Sequence, residues 1–307
     1  MSLDTARLDA ALDTARTALL AERVAEGYWE GELSSSALST AVACAAMQHV
    51  QTATGAVEHG ALIQGGLHWL AEHVNADGGW GDSTKSLSNI STTTLCWATF
   101  HAVPGALEEY AEVVTAAEQW LTKAAGGTTP DYLAPAIIAR YGKDRTFSVP
   151  ILTHCALAGK GRWKDVIQLP FELAALPRNW FAALRLPVVS YALPALIAIG
   201  QCRHQHRPSW NPITRVFRNA AREKTLQVLE QIQPSNGGFL EATPLTSFVT
   251  MSLAGCGLAD HPVARKGIEF LHASVRADGS WPIDTHLATW VTTLSVNALG
   301  EDLPDDA

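Results

Sequence analysis

Charged residues are scarce in this sequence. Only 17% of its 307 residues are Asp, Glu, Lys or Arg, the net charge is −8, and no dense block of Lys and Arg occurs. The composition therefore argues against nucleic acid as a partner. The first twenty residues carry charges throughout and lack the charged-then-apolar order of a signal peptide, which favours a cytoplasmic protein.

Signatures of metal sites and spanning helices are missing as well. The five cysteines are widely separated, and none of them forms a CxxC pair. We therefore predict buried free thiols and neither a metal nor another cofactor. The most apolar stretch, residues 186–199, contains Pro187 and Pro194 and is too short to cross a bilayer. We expect it to pack in the core or to touch a membrane surface.

A repeated turn motif is the strongest positive signal. Residues 66–82, GLHWLAEHVNADGGWGD, align without gaps on residues 267–283, GIEFLHASVRADGSWPI. Weaker copies end at Trp29 and Phe239, and a degenerate copy lies at Trp120. Because the aromatic ends recur at spacings of about 42 to 51 residues, the chain is built from repeats.

Each copy predicts two helices joined by a tight turn. An aromatic–Leu pair lies on the first helix, Asp-Gly or Asn-Gly ends it, and small polar residues begin a second, more buried helix. No period-two alternation is sustained. We therefore predict an all-α fold, an α/α toroid of about six helix pairs over residues 1–300, with an acidic tail at 301–307. Trp80 and Trp281 should occupy equivalent, structural positions.

These repeats resemble the QW repeats of squalene-hopene and oxidosqualene cyclases. GRWKDVIQLPFEL at 161–173 and LPRNWF at 176–181 are also similar to that family, and the resemblance covers nearly the whole chain. Such cyclases consist of two α/α barrels with the substrate cavity between them, and this chain resembles the amino-terminal half. The family's acid motif, Asp-x-Asp-Asp, belongs to the other half and is absent here. The resemblance implies half of a class II terpene cyclase that acts on squalene or a related polyprenyl substrate and needs a partner half carrying the acid.

The missing acid matters because class II cyclisation begins by protonating an alkene, which is a very weak base. The reaction needs a strongly acidic carboxyl group and a dry aromatic cavity that stabilises carbocations. Asp284, at the expected start of an inner helix, is the only plausible substitute, but we interpret it first as a helix cap. The family has an Asp-Thr near the cavity at this place, which makes Asp284 and His286 candidate substrate-binding residues. Trp97 and Trp290 are further candidate substrate-binding residues.

Two further segments have competing interpretations. Trp180 and Phe181, flanked by arginines and followed by the 186–199 stretch, suit either the core or a lipid interface, and we predict that they also contact substrate. His154–Cys155 would be needed in a zinc-dependent prenyltransferase-like subunit, but a core histidine beside a buried thiol is simpler. CRHQH at 202–206 is interpreted as a solvated loop. A non-catalytic isoprenoid- or hopanoid-binding peripheral membrane protein remains an alternative function.

Overall fold

Helices make up the regular structure of the chain. A computed structural model describes residues 4–177 and 190–303, and within these ranges β structure is limited to isolated bridges. The predicted all-α class is confirmed. The helices are α1 (Thr5–Ala21), α2 (Ala37–Thr54), α3 (Gly60–Glu72), α4 (Ile90–Ala102), α5 (Ala106–Glu109), α6 (Ala111–Ala125), α7 (Pro130–Tyr141), α8 (Arg145–Leu157), α9 (Leu193–His206), α10 (Pro212–Ile232), α11 (Thr243–Gly255), α12 (Pro262–Ser274) and α13 (Ala288–Leu299).

The chain divides into two compact units. Residues 34–283 form the first, which we call the ring unit. Residues 1–33 and 284–307 form the second, the terminal unit, which contains α1 and α13. The domain predicted over residues 1–300 therefore includes residues of both units.

Among the described residues, five inner helices close the ring unit. In order, α2 contacts α4, α4 contacts α8, α8 contacts α9, α9 contacts α11, and α11 contacts α2 again. Outer helices pack on this layer, with α3 on α2, α6 and α7 on α4, α10 on α9, and α12 on α11. This closed circuit of inner and outer helices confirms the predicted α/α toroid. Its inner layer has five helices, and α1 and α13 lie in the other unit.

Small side chains allow the layers of the ring unit to approach closely. Twelve of the 18 residues of α2 are buried, most of them Ala, Ser, Thr, Cys or Val. On the outer helices, a Cβ added at Gly66 would lie 2.3 Å from Cys44 Sγ, and one added at Gly267 would lie 2.2 Å from Thr250 Oγ1. These two glycines are 201 residues apart, so the repeat places the same close approach in both copies.

Protein atoms fill the middle of the ring unit. Helices α8 and α11 contact each other across it, and a Cβ added at Gly255 would lie 2.4 Å from Leu157 Cδ2. The cavity between α7 and α8, beside Ile137 and Leu152, measures about 10 Å³, which is room for about one water molecule.

The terminal unit buries much less of its surface. The side chain of Asp4 caps α1 by accepting the Arg7 N–H at 3.3 Å, yet none of the 17 residues of α1 is buried. In α13 only Ser295 and Leu299 are buried. An ion pair between Arg16 and Asp302 joins the two segments of this unit.

Candidate functional site

The repeated turn places its aromatic residue in the same environment each time. Trp29, Trp80 and Trp281 are all buried, and each indole N–H donates to the carbonyl oxygen ten positions earlier at 2.7–2.9 Å. Gly78 and Gly279 adopt φ values of 87° and 85°, the left-handed conformation that glycine tolerates best. The predicted equivalence of Trp80 and Trp281 is confirmed.

The turn aspartates connect neighbouring repeats. Asp77 Oδ2 accepts the indole N–H of Trp120 on α6 at 3.0 Å, and Asp278 Oδ2 accepts that of Trp69 on α3 at 3.1 Å. A hydrogen bond from Ser88 is the main cause that lowers the pKa of Asp77. Because Asp278 belongs to the last turn and Trp69 to the first outer helix of the ring unit, this second bond helps to close the ring.

A threonine on an inner helix accepts a hydrogen bond from each turn. In all four repeats the backbone N–H of the turn's aromatic residue donates to a threonine hydroxyl at 2.9–3.0 Å. The four pairs are Trp80–Thr93 (α4), Phe239–Thr246 (α11), Trp281–Thr40 (α2) and Trp29–Thr292 (α13). Sequence reasoning missed this contact, because the spacing between partners is different in each pair.

In two of these pairs, the turn does not contact the inner helix that follows it in the sequence. Trp281 comes just before α13 in the sequence but pairs with α2, whereas Trp29 comes just before α2 but pairs with α13. Backbone hydrogen bonds support both exchanges: Ser36 N–H donates to Trp281 in the ring unit, and Leu287 N–H donates to Gly31 in the terminal unit. The terminal unit is therefore one further repeat, assembled from both segments of the chain.

The inner helix of this further repeat has an uncovered apolar face. Two positions after the turn-binding threonine, Leu95 of α4 is fully buried, and Val42 of α2 and Phe248 of α11 are buried as well. The corresponding Leu294 of α13 is 55% exposed, and Trp290 on the same helix is 65% exposed. The same kind of helix is thus a core element in the ring unit and a surface element in the terminal unit.

Asp284 does not cap α13, so our interpretation of it as a helix cap is wrong. It lies in an extended segment four residues before the helix starts at Ala288, and its carbonyl oxygen accepts the Leu33 N–H at 3.1 Å. Burial raises the pKa of Asp284. A carboxyl group with a raised pKa holds its proton more tightly, which makes it a weaker donor to an alkene. His286 is half-exposed, 3.4 Å from Glu30 Oε1.

The remaining predicted substrate-binding residues in the described ranges are divided between the two units. Trp290 lies six residues after Asp284 in the terminal unit, but Trp97 belongs to the ring unit. There Trp97 is buried, its indole N–H donates to Glu118 Oε1 at 3.1 Å, and Lys160 Nζ lies 5.5 Å from its ring centre. Trp180 and Phe181 lie outside the described residues.

Part of the stretch predicted to touch a membrane is core. Residues 193–199 begin α9, and Ile197, Ala198 and Ile199 are fully buried. The interpretation of residues 202–206 as a loop is wrong, because they form the last turns of α9 with Cys202, Arg203 and His204 buried. No helix in the described ranges is long and apolar enough to span a bilayer.

His154 and Cys155 lie in the core of the ring unit. His154 Nε2 is 3.1 Å from Thr99 Oγ1 and 3.2 Å from the Leu95 carbonyl oxygen. Burial lowers the pKa of His154 to about 3 and raises that of Cys155 to about 12, so both side chains are neutral at pH 7. All five cysteines are free and buried, as predicted. Across residues 4–177 and 190–303, no three His, Cys, Asp or Glu side chains are grouped to hold a metal ion.

A closed ring of helix pairs joined by Asp-Gly-aromatic turns defines an α/α toroid of QW-type repeats. Residues 12–152 match the squalene-hopene cyclase N-terminal domain, so this part of the chain is similar to that family. The predicted resemblance is confirmed. None of the curated proteins matches the chain. Among solved structures, a protein from Actinoplanes is similar at 16% identity and a TM-score of 0.33, covering 89% of this chain and 82% of that chain.

Proposed function

We propose that this protein is one half of a class II terpene cyclase that acts on squalene or a related polyprenyl substrate. It would require a partner half that carries the acid motif Asp-x-Asp-Asp. The terminal unit provides the supporting observation: α13 binds its turn through Thr292 as an inner helix does, yet Leu294 and Trp290 are exposed. Helix pairs of the partner would cover this face, as neighbouring helices cover α4 in the ring unit.

The packing of the ring unit also favours a site that forms only with a partner. A C30 hydrocarbon needs a cavity of several hundred Å³, whereas α8 and α11 contact each other inside the ring unit, and the cavity beside Ile137 and Leu152 has room for about one water molecule. We propose that the substrate cavity forms where the partner meets the terminal unit. Asp284, His286 and Trp290 would then line its wall, and Trp290 would offer an aromatic face to carbocations.

Asp284 would position or polarise the substrate instead of starting the reaction. Its pKa is raised by burial, and hydrogen-bond donors or cations do not lower it. The acid that protonates an alkene must be made more acidic by such donors. We assign that role to the partner's carboxyl groups, and we expect Asp284→Asn to change the rate or product pattern less than loss of the partner's acid.

Association with the membrane is the second part of the proposal. Squalene-like substrates dissolve in the bilayer, so we propose a peripheral protein on the cytoplasmic side. The exposed apolar side chains of Trp210, Ile213, Val216 and Phe217, at the start of α10, support this location. A non-catalytic isoprenoid- or hopanoid-binding protein would share that support and is the second candidate. The zinc-dependent alternative gains no support from His154 and Cys155, which are neutral core residues.

Complementation tests the proposal. The purified chain is incubated with squalene, alone and together with a cyclase half that carries Asp-x-Asp-Asp, and products are identified by mass spectrometry. We expect polycyclic product only from the mixture. Leu294→Asp should reduce that product at least tenfold, since it places a charge in the proposed contact, while Val57→Asp at an exposed ring-unit position should not.

Two results would contradict the half-enzyme proposal. If the isolated chain forms polycyclic product and Asp284→Asn abolishes it, then Asp284 is the acid. If the mixture is inactive but the chain binds squalene or a hopanoid, then the non-catalytic binding function is favoured.

A further inference from the structure

An exposed apolar patch lies at the start of α10. Trp210 is 95% exposed, and Ile213, Val216 and Phe217 are each 66–67% exposed. Residues 213, 216 and 217 lie on one side of the helix because they are separated by three and four positions. Together with Pro212 they line a surface hollow of about 280 Å³. We call Trp210, Ile213, Val216 and Phe217 the α10 patch.

The patch is built on a rigid support. The Asn211 side chain caps α10 by accepting the N–H groups of Ile213 and Thr214 at 3.0 and 3.4 Å. On the opposite side of α10, Arg218 Nε donates to Glu172 Oε1 at 3.1 Å, and Thr225, seven residues further on, is buried. Ile213, Val216 and Phe217 are therefore held outward by a helix that is anchored on its other side.

The apolar surface ends abruptly along the helix. Further along the same side of α10, the exposed residues are Glu223, Lys224 and Gln227. The buried residues of α10, such as Leu226 and Leu229, belong to the other side. The α10 patch is thus separate from the apolar side of α10 that packs within the ring unit. It is confined to the first two turns of the helix and to Trp210, two residues before the helix starts.

The charges that flank the patch in the sequence, over residues 201–222, have one sign. Residues 201–222 contain five arginines and no Asp or Glu, in a chain whose net charge is −8. Arg203 donates to the Val166 carbonyl oxygen, and Arg218 pairs with Glu172, so these two are engaged by the protein. Arg207 and Arg215 are exposed on either side of Trp210 in the sequence. An exposed aromatic and aliphatic surface with exposed arginines close to it in the sequence is suited to the headgroup region of an anionic membrane.

The size of the patch favours a membrane over a protein as its partner. Its four side chains offer roughly 500 Å² of surface, which is less than the roughly 800 Å² per partner of a stable protein interface. A membrane requires no matching surface, since tryptophan and aliphatic side chains insert individually among lipids. We propose that the α10 patch docks this protein on an anionic membrane surface, with Trp210 inserted and Arg207 and Arg215 on lipid headgroups.

This inference names the surface for the membrane association proposed above and is independent of the cyclase activity. Vesicle binding and product formation can therefore fail separately. The surface differs from the 186–199 stretch predicted from the sequence, whose last residues are core.

Flotation of the full chain with vesicles tests the proposal. One set of vesicles contains phosphatidylglycerol and phosphatidylcholine, and the other contains phosphatidylcholine alone. The unsubstituted chain should float with the anionic set and less with the neutral set. Trp210→Ser with Phe217→Ser should weaken binding about tenfold or more, because most of the inserted apolar area is lost. Arg207→Gln with Arg215→Gln should abolish the difference between the two vesicle sets.

A matched control uses Leu8→Ser with Leu12→Ser on α1, which removes two apolar side chains that are also more than half exposed. This control should float like the unsubstituted chain. The proposal is overturned if the unsubstituted chain does not float, or if the Trp210/Phe217 variant floats as well as it does. It is also overturned if sedimentation shows self-association that the Trp210/Phe217 variant loses, because the patch would then join two copies of the chain.

Discussion

Helices α4 and α13 begin in the same way and reach opposite environments. In both, a threonine hydroxyl accepts the N–H of a turn tryptophan at 3.0 Å, from Trp80 to Thr93 and from Trp29 to Thr292. Two residues further on, Leu95 is fully buried and Leu294 is 55% exposed. The comparison shows that the repeat motif builds a helix pair, whereas burial of its inner helix depends on the neighbours on both sides.

The exchange of turns between α2 and α13 explains how the two environments arise in one chain. Because Trp281 supplies the turn for α2, the ring unit closes on itself with five inner helices. Because Trp29 supplies the turn for α13, the last inner-type helix forms a repeat within the terminal unit. A repeat that cannot bury its apolar face alone is stabilised only by stacking on further repeats.

Truncating the two equivalent leucines should give the largest difference. Leu95→Ala should lower the free energy of unfolding by about 2–5 kcal/mol, because it leaves a cavity in a packed core. Leu294→Ala should change it by about 0.5 kcal/mol or less, because the side chain is already hydrated. Urea denaturation followed by circular dichroism measures both. Equal losses would mean that α13 is covered in the free chain.

Acid should destabilise the ring unit through His154. Its pKa is about 3 in the folded protein, against about 6.5 for an exposed histidine. The unfolded chain therefore binds the proton first, so stability is complete above pH 6.5 and is lost as the pH falls towards 3. At pH 5 the loss should be about 2 kcal/mol relative to pH 7.

Urea denaturation of two histidine variants at both pH values isolates this effect. His154→Gln should remove about 2 kcal/mol of the pH dependence. His68→Gln, at a side chain that is 67% exposed, should leave the pH dependence intact. If the His154 variant keeps the full dependence, the buried histidine is not its source.

Removing the hydrogen bond between a turn and its threonine should destabilise only the unit that contains that threonine. Thr93→Val should destabilise the ring unit by about 1–2 kcal/mol, because the Trp80 N–H loses its buried acceptor. Thr292→Val should leave ring unfolding unchanged and instead speed hydrogen exchange of the Trp29 and α13 amides. Exchange followed by mass spectrometry distinguishes the two. A loss of ring stability in the Thr292 variant would contradict the division into units.

The smallest effect concerns the aspartates that connect repeats. Asp77→Asn and Asp278→Asn keep an oxygen acceptor for Trp120 and Trp69, and both sites are exposed. Each should therefore reduce the free energy of unfolding by less than about 1 kcal/mol. Thermal melts of the two variants should shift by similar amounts. A much larger shift for Asp278→Asn would show that ring closure depends on this one bond.

Local contacts explain which features could be predicted from the sequence. The buried turn tryptophans donate to a carbonyl only ten residues earlier, so the motif and its contact are encoded in one short segment. The gapless 201-residue shift between Trp80 and Trp281 therefore predicted equivalent structures. The helical class, the repeats, the closed ring and the burial of all five cysteines depend on such local or compositional signals.

Tertiary structure decided where each apolar surface is covered. Residues 193–199 and the α10 patch are both apolar, yet Ile197 is buried and Trp210 is almost fully exposed. The start of α13 at Ala288, which leaves Asp284 in an extended segment, and the pairing of Trp29 with Thr292 also depend on residues far away in the sequence. An apolar side chain needs to leave water, but its own chemistry does not determine whether protein, partner or lipid covers it.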